Sequence, residues 1–190
     1  MSVAGLVLAA GGGRRMGRPK ALLDTDGESW LELAVSVLES AGCGPVLVTL
    51  GAEADAARPL VPPAASVVEV TAWESGMGES LRQGLDAVGR LVPDADAVVV
   101  TLVDLPRLRA GAVARVVDAG GARGARRTAL VQAHYDGRPG HPVLIGREHW
   151  APLRDTLHGD AGARGYLRAH AALAVDCTDL GGGDDVDTRE

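Results

Sequence analysis

An apolar strand that breaks into a glycine loop rich in cations constrains this chain more than any other feature. Residues 3–9 are almost continuously apolar, which is typical of a parallel strand buried on both faces. Three glycines at 11–13 follow, and their backbone N–H groups can approach an anion closely. Arg14, Arg15, Arg18 and Lys20 then bring four cations into seven residues of a chain with net charge −6. This position is where open α/β sheets bind ligands, so the pattern predicts a phosphate site; a flexible basic surface loop is the alternative.

The loop fits neither of two common phosphate motifs. In place of the Gly-Lys-Ser/Thr of a P-loop, the chain has Gly17-Arg18-Pro19, and the proline disfavours a helix at Arg18. Met16 stands where the dinucleotide-binding fingerprint needs its third glycine. A long cationic loop that ends at Lys20 remains, and such a loop suits a triphosphate.

Length, charge and cysteine content exclude several classes of protein. A chain of 190 residues suits one domain, which we expect to span residues 1–190. The net charge of −6 and the lack of long basic tracts argue against a nucleic-acid binder. Cys43 and Cys177 lie far apart, as reduced thiols of a cytoplasmic protein do. No signal peptide is visible, and no apolar run approaches the roughly 20 residues of a membrane span. We therefore expect a cytoplasmic protein that does not bind membranes.

Apolar runs alternate with helical patterns along the chain, which predicts an α/β fold with a mostly parallel sheet. The helical patterns cover 29–40, 52–60, 81–92, 110–119, 147–154 and 161–170, and the further strands cover 45–50, 66–70, 96–103, 128–134 and 173–177. Asp136-Gly137 is a hairpin signal, so an antiparallel addition to the sheet is expected. The expected architecture is a three-layer α/β/α, Rossmann-like domain.

Two further positions carry chemistry. The turn from Gly76 to Ser80 begins a helix, and helix N-termini offer free N–H groups that can hold a nucleotide; an ordinary helix start is the alternative. Asp104 follows the most apolar strand, where a carboxylate is costly unless it meets a cation or hydrogen-bond donors. Mg²⁺ is the usual cation beside a triphosphate, so Asp104 is a predicted metal ligand. Its alternative role is that of a turn residue before Pro106.

The loop resembles the signature of the MobA-like nucleotidyltransferases. The resemblance is carried by Leu8-Ala9-Ala10-Gly11, Arg15-Met16-Gly17 and Lys20-Ala21-Leu22-Leu23. Within that group the chain is most similar to the CTP:molybdenum cofactor cytidylyltransferases, because GTP-using relatives usually have Leu-Ala-Gly-Gly where this chain has Ala10. Further matches are found at 73–81, 104–106, 140–142, 159–164 and 185–188. The chain departs from the family pattern at Arg189, where proline is expected.

The resemblance implies roles for individual residues. Nucleotide binding falls to Ala9, Ala10, Gly11, Gly12, Gly13, Arg15, Met16, Gly17, Lys20, Gly76 and Ser80. Lys20, Arg15 and Asp104 are the implied catalytic residues, and Asp187 is the implied second metal ligand unless the tail is disordered. His141 would contact the acceptor, or would be a turn histidine.

The implied activity is transfer of CMP from CTP to the phosphate of molybdopterin or molybdenum cofactor, with Mg²⁺ and with release of pyrophosphate. The acceptor phosphate is already an ionised nucleophile, so positioning and charge neutralisation suffice. A molybdoenzyme client is a possible partner. Three alternatives stay open: a GTP-using guanylyltransferase, an NTP transferase for another phosphorylated metabolite, and a nonenzymatic cofactor carrier that would tolerate loss of Asp104.

Overall fold

A seven-stranded sheet forms the middle layer of the protein. The computed structural model describes residues 3–13, 17–122 and 124–186. The strands are β1 (Val3–Ala9), β2 (Asp24–Thr25), β3 (Glu28–Ser29), β4 (Val46–Leu50), β5 (Ser66–Glu69), β6 (Ala97–Leu102), β7 (Leu130–Tyr135), β8 (Arg138–Gly146) and β9 (Leu173–Asp176). The large sheet has the order β5-β4-β1-β6-β8-β7-β9, and β2 pairs only with β3. In the large sheet β8 runs antiparallel to both neighbours, whereas the other pairs are parallel, so the predicted mixed sheet is confirmed.

Helices cover both faces of the sheet. They are α1 (Trp30–Ser40), α2 (Ala54–Ala57), α3 (Met77–Leu91), α4 (Ala110–Ala119), α5 (Trp150–Arg154) and α6 (Arg164–Ala169). Side chains of α1 and α4 pack in the core on one face, and those of α3, α5 and α6 pack on the other. The three-layer α/β/α architecture is therefore confirmed.

Strand β1 is apolar throughout because it separates these two cores. Val3 and Val7 face the core of α1 and α4, whereas Leu6 and Leu8 face the core of α3. Leu6 and Val7 are fully buried, and burial of side chains of this size stabilises the fold by roughly 1.5–3 kcal/mol each. The sequence of β1 therefore shows no alternation of polar and apolar residues, because both faces of the strand are buried.

The carboxyl ends of three parallel strands meet at one edge of the sheet. Leu8 of β1 lies opposite Thr49 of β4 and Leu102 of β6. The loops after these strands therefore leave the sheet side by side. This edge is the place where open α/β sheets bind ligands.

Local structure differs from the predicted pattern at three places. Asp26-Gly27 forms a tight turn with φ of 53° and 84°, which joins β2 to β3 in a hairpin that was not predicted. The expected helix over 52–60 is one α-turn, α2, followed by a 3₁₀ turn at Arg58–Leu60. The expected helix over 161–170 begins only at Arg164, because His158 and Ala161 form an isolated β-bridge before it. In the described ranges, no helix has both the length and the apolar character needed to cross a bilayer.

Candidate active site

A cavity of about 410 Å³ opens at the carboxyl edge of the sheet. Its walls come from residues 8–13 at the end of β1, from Lys20, from the segment that begins α3, and from residues 102–104 after β6. This volume falls in the usual range of small-molecule sites. The cavity therefore gathers segments that are distant in sequence around the glycine loop.

An ion pair between Lys20 and Asp104 stands at the β6 side of this cavity. Lys20 Nζ donates to Asp104 Oδ2 at 2.7 Å, although the two residues lie 84 positions apart. Their side chains are 17% and 16% exposed, so neither is freely solvated. A cation and a carboxylate are thus held together where the cationic loop ends.

The second oxygen of Asp104 fits a metal ligand. Asp104 Oδ1 is buried and has no hydrogen-bond partner within the described chain. A buried carboxylate oxygen without a donor is costly, and a hard cation would remove that cost. The described ranges contain no group of three or more acidic, histidine or cysteine side chains placed to hold a metal. The described residues alone therefore do not complete such a group around Asp104.

The tail of the chain returns to Asp104. The backbone N–H of Val186 donates to the carbonyl oxygen of Asp104 at 3.0 Å. Asp187, the other predicted metal ligand, lies outside the described residues. Residues 181–186 thus form an ordered return path rather than leaving the domain.

The predicted nucleotide-binding residues divide into three groups. The cavity is lined by Ala9, Ala10, Gly11, Gly12, Gly13, Lys20, Gly76 and Ser80. Gly17 is an exposed turn residue that does not line it, and Arg15 and Met16 lie outside the described residues. Arg18, one of the four loop cations, donates to the carbonyl oxygen of Leu22. That hydrogen bond closes the loop onto the 3₁₀ turn at Lys20–Leu22.

A second turn covers the start of α3. The N–H of Gly78 donates to the carbonyl oxygen of Gly159 at 2.9 Å, so one of the free N–H groups of this helix is already occupied. The adjacent Asp160 lines the first cavity and also a neighbouring one. The segment 158–161 therefore forms the boundary between the two cavities.

The neighbouring cavity, of about 690 Å³, contains His141. Its walls are mostly apolar, and Arg164 and Asp185 add charge. The pKa of His141 is lowered to about 4, mainly by burial and also by the Arg164 guanidinium, while the Asp185 carboxylate opposes the shift. His141 is thus a neutral imidazole near pH 7, able to donate one hydrogen bond and accept another.

Seven residues that line the first cavity were not among the predicted site residues, namely Leu8, Trp73, Glu74, Met77, Leu102, Val103 and Asp160. Trp73 forms part of the first cavity, and Asp160 lies between the two cavities. Both stand inside segments that resemble the family, at 73–81 and 159–164. The only signal for either was its place in those segments, because neither hydropathy nor spacing distinguishes it.

The sequence model of the MobA-like NTP transferase domain matches residues 5–174. The chain belongs to the MobA-like NTP transferase family. The matched range includes the glycine loop, the Lys20–Asp104 pair and His141, whereas Gly183 and Asp185 of the second cavity lie beyond it. The chain is accordingly a nucleotidyltransferase by family and by fold.

Three named or solved proteins are similar to this chain over most of its length. A protein of Paenarthrobacter nicotinovorans named nicotine blue oxidoreductase is 38% identical over 197 residues, covering 99% of this chain and 93% of the relative. The crystal structure of an Rv0371c homologue from Mycobacterium sp. strain JC1 has 30% identity and a TM-score of 0.80, covering 98% of this chain and 90% of that one. Rv0371c of Mycobacterium tuberculosis, solved as a complex with manganese, has 29% identity and a TM-score of 0.73, covering 93% and 89%.

Proposed function

We propose that this protein transfers CMP from CTP to the phosphate of molybdenum cofactor and releases pyrophosphate. The observation that carries the proposal is the Lys20–Asp104 pair inside a cavity walled by the glycine loop. A transferred nucleotidyl group needs cations at its phosphates and a carboxylate for a divalent metal, and little covalent help from the protein. These requirements match the residues of this cavity.

Lys20 and Arg15 would bind the triphosphate and stabilise the charge that moves to the leaving pyrophosphate. An oxygen of the acceptor phosphate forms the new bond to the α-phosphorus. The bond from that phosphorus to the oxygen between the α- and β-phosphates breaks, and this oxygen leaves with pyrophosphate. Lys20 contacts the Asp104 carboxylate at 2.7 Å, and its ammonium would contact a phosphate oxygen instead when the nucleotide binds. The glycine loop would supply backbone N–H groups to the same phosphates.

Asp104 and Asp187 would hold Mg²⁺, which supplies charge neutralisation at the phosphate oxygens when bound. Oδ1 of Asp104, which finds no hydrogen-bond partner in the described ranges, supports this role. The contact of Val186 with Asp104 supports the participation of the tail. The manganese complex of Rv0371c is consistent with a divalent cation in this family.

The acceptor would occupy the cavity around His141. A neutral imidazole among apolar walls suits the edge of a flat heteroaromatic ring, and Arg164 suits a phosphate. The two cavities share Leu8, Met77, Leu102 and Asp160, so a phosphate in one can reach the nucleotide in the other. A molybdoenzyme that receives the finished cofactor would be the client.

The test is pyrophosphate release with each of CTP, GTP, ATP and UTP, with and without molybdenum cofactor. We expect release to require the cofactor and to be faster with CTP than with GTP, since the Ala9-Ala10-Gly11 sequence resembles the CTP-using branch. Faster release with GTP would indicate a guanylyltransferase. Release only with a different phosphorylated acceptor would indicate another NTP transferase, and binding without release would indicate a carrier.

The identity of 38% to a protein named nicotine blue oxidoreductase favours one second candidate, reduction of a flat heteroaromatic compound in the His141 cavity. The apolar walls and neutral imidazole of that cavity suit such a compound as well as they suit a pterin. The test is loss of nicotine blue absorbance in the presence of a reduced nicotinamide nucleotide. Bleaching without any NTP-dependent pyrophosphate release would favour this candidate over CMP transfer.

A further inference from the structure

Trp73 lies across the ends of two neighbouring strands at one wall of the first cavity. A Cβ atom added at Gly51, just after β4, would lie 2.5 Å from Trp73 Cβ. A Cβ atom added at Gly12, just after β1, would lie 3.0 Å from Trp73 Cζ3. Both positions therefore have to be small for the indole to lie where it does. The ring is seated against the backbone of the glycine loop itself.

The indole of Trp73 is exposed to the cavity in a way that the other two tryptophans are not. Trp30 and Trp150 are 5% and 6% exposed, and their N–H groups donate to Thr25 Oγ1 and to the carbonyl oxygen of Ile145. Trp73 is only half-buried, and in the described ranges its N–H group has no hydrogen-bond partner. A buried tryptophan normally satisfies its N–H group. Trp73 instead keeps a ring face and a donor available at the cavity.

The cavity therefore has two chemically different sides. Asp104 follows β6 on one side of β1, and Trp73 packs on Gly51 after β4 on the other side. Neighbouring strands are about 4.8 Å apart, so the two sides are separated by roughly 10 Å. The charged side suits phosphates and the aromatic side suits a ring.

We propose that Trp73 stacks on the nucleobase of the bound nucleotide and so fixes the triphosphate between the glycine loop and the Lys20–Asp104 pair. This inference rests on the proposed nucleotidyl transfer and adds the residue that binds the base end. Stacking on an aromatic side chain is available to every base, because every base has a π-face. Trp73 thus sets nucleotide affinity and orientation, and it does not choose among bases.

The experiment measures binding of CTP and of inorganic tripolyphosphate, which lacks a base, to the full chain by calorimetry at one Mg²⁺ concentration. We expect Trp73→Ala to weaken CTP binding about 5- to 150-fold, the usual range for a lost base stack, and to leave tripolyphosphate binding unchanged. Trp73→Phe keeps an aromatic face and should retain most of the CTP affinity. Lys20→Ala is the matched contrast, since it should weaken both ligands.

Tryptophan emission gives an independent readout. CTP should change the emission of the wild-type chain but not that of Trp73→Phe, because Trp30 and Trp150 are buried away from the cavity. An unchanged CTP affinity in Trp73→Ala would overturn the inference, and so would an emission change that survives in Trp73→Phe. An equal loss for CTP and tripolyphosphate would show that Trp73 only supports the loop.

These outcomes are separable from failure of the proposed function. A wild-type chain that binds both ligands and releases pyrophosphate, with normal CTP affinity in Trp73→Ala, overturns the role of Trp73 alone. A wild-type chain that binds neither ligand overturns the proposed function, and the stacking role falls with it.

Discussion

At the scale of single residues, Lys20 combines two interactions that a solvent-exposed lysine would not make. Its ammonium contacts Asp104 at 2.7 Å, and it lines the cavity of the glycine loop. A cation held there costs little reorganisation when phosphate charge develops beside it. In the proposed transfer, the position of its ammonium would therefore affect rate as well as binding.

We expect Lys20→Ala to lower kcat for pyrophosphate release by roughly 10² to 10³, the cost of losing one positioned donor. Arg58→Ala is the matched control, because it removes a cation from the exposed Arg58–Glu69 pair outside the cavity. The control should keep wild-type kcat. A Lys20→Ala enzyme with normal kcat and only a raised KM would show that the lysine merely binds.

His141 gives the fold a pH dependence in the acid range. Its folded-state pKa is about 4 against an ordinary value of 6.5, because burial disfavours the imidazolium and Arg164 adds repulsion, partly offset by Asp185. The unfolded chain therefore binds a proton more readily. The stability that comes from neutral His141 is fully present above pH 6.5 and is lost as pH falls toward 4.

Between pH 6.5 and 4, we expect the free energy of unfolding of His141→Gln to fall less than that of the wild type. The difference between the two is at most about 3 kcal/mol, and solvent contact of the ring reduces it. Urea unfolding at several pH values measures this difference. His158→Gln, at an exposed histidine, is the control and should keep the wild-type slope. Parallel slopes for wild type and His141→Gln would contradict the burial of a neutral imidazole.

At the scale of elements, local signals decide where the best-defined helix begins. Ser29 Oγ accepts from the N–H of Leu31, and the Glu32 carboxylate accepts from the N–H of Ser29. This capping box satisfies donors that would otherwise be orphaned at the start of α1. The boundary of α1 was therefore predictable from the sequence, because a short pattern carries it.

The segment 181–186 depends instead on close packing against distant elements. A Cβ atom added at Gly182 would lie 2.1 Å from the carbonyl oxygen of Arg107, and one added at Gly183 would lie 2.3 Å from the Tyr135 ring. Gly181 and Gly182 both have positive φ, at 62° and 78°, but only Gly182 is blocked by a neighbour. The chain can thus return to Asp104 only along a path of small residues.

We expect Gly182→Ala to displace the tail and to reduce pyrophosphate release by at least tenfold, whereas Gly181→Ala should have a much smaller effect. The backbone strain of a positive φ is common to both variants, at about 1 kcal/mol, so the difference isolates the steric block. Circular dichroism checks that both variants keep the fold. Equal activities of the two variants would separate the tail from the active site.

At the scale of the whole molecule, the proposed metal site joins the end of β6 to the chain terminus. Asp104 has an oxygen without a hydrogen-bond partner among the described residues, and its carbonyl oxygen contacts Val186. Changes at Asp104 and Asp187 can couple in stability through the Val186–Asp104 contact. A shared metal would in addition couple their Mg²⁺-dependent turnover.

We expect Asp104→Asn and Asp187→Asn each to abolish most Mg²⁺-dependent turnover, with a double variant scarcely worse than either. The measurement is pyrophosphate release for the four members of this cycle, with Asp94→Asn as an exposed control that should stay active. Near wild-type activity of Asp187→Asn would remove the tail from the site. Near wild-type activity of Asp104→Asn would contradict the proposed transfer mechanism.

The sequence by itself determined much of the local structure and indicated the kind of chemistry. The continuous apolar run of β1 required burial on both faces, and the three glycines with their cations indicated phosphate binding. The Asp136-Gly137 turn indicated the hairpin that adds β8. Each of these signals is short, because φ/ψ preferences and burial periodicity act over a few residues.

Only the tertiary structure decided which side chains meet. The strand order places β6 beside β1, and this brings Lys20 and Asp104 within 2.7 Å. The same order seats Trp73 across the loops after β1 and β4. No hydrophobic period encodes strand order, because parallel strands can be arranged in several ways that bury the same faces. The cavity therefore follows from packing between distant elements, whereas the residues of its glycine loop, Lys20 and Asp104 were already predicted from the sequence.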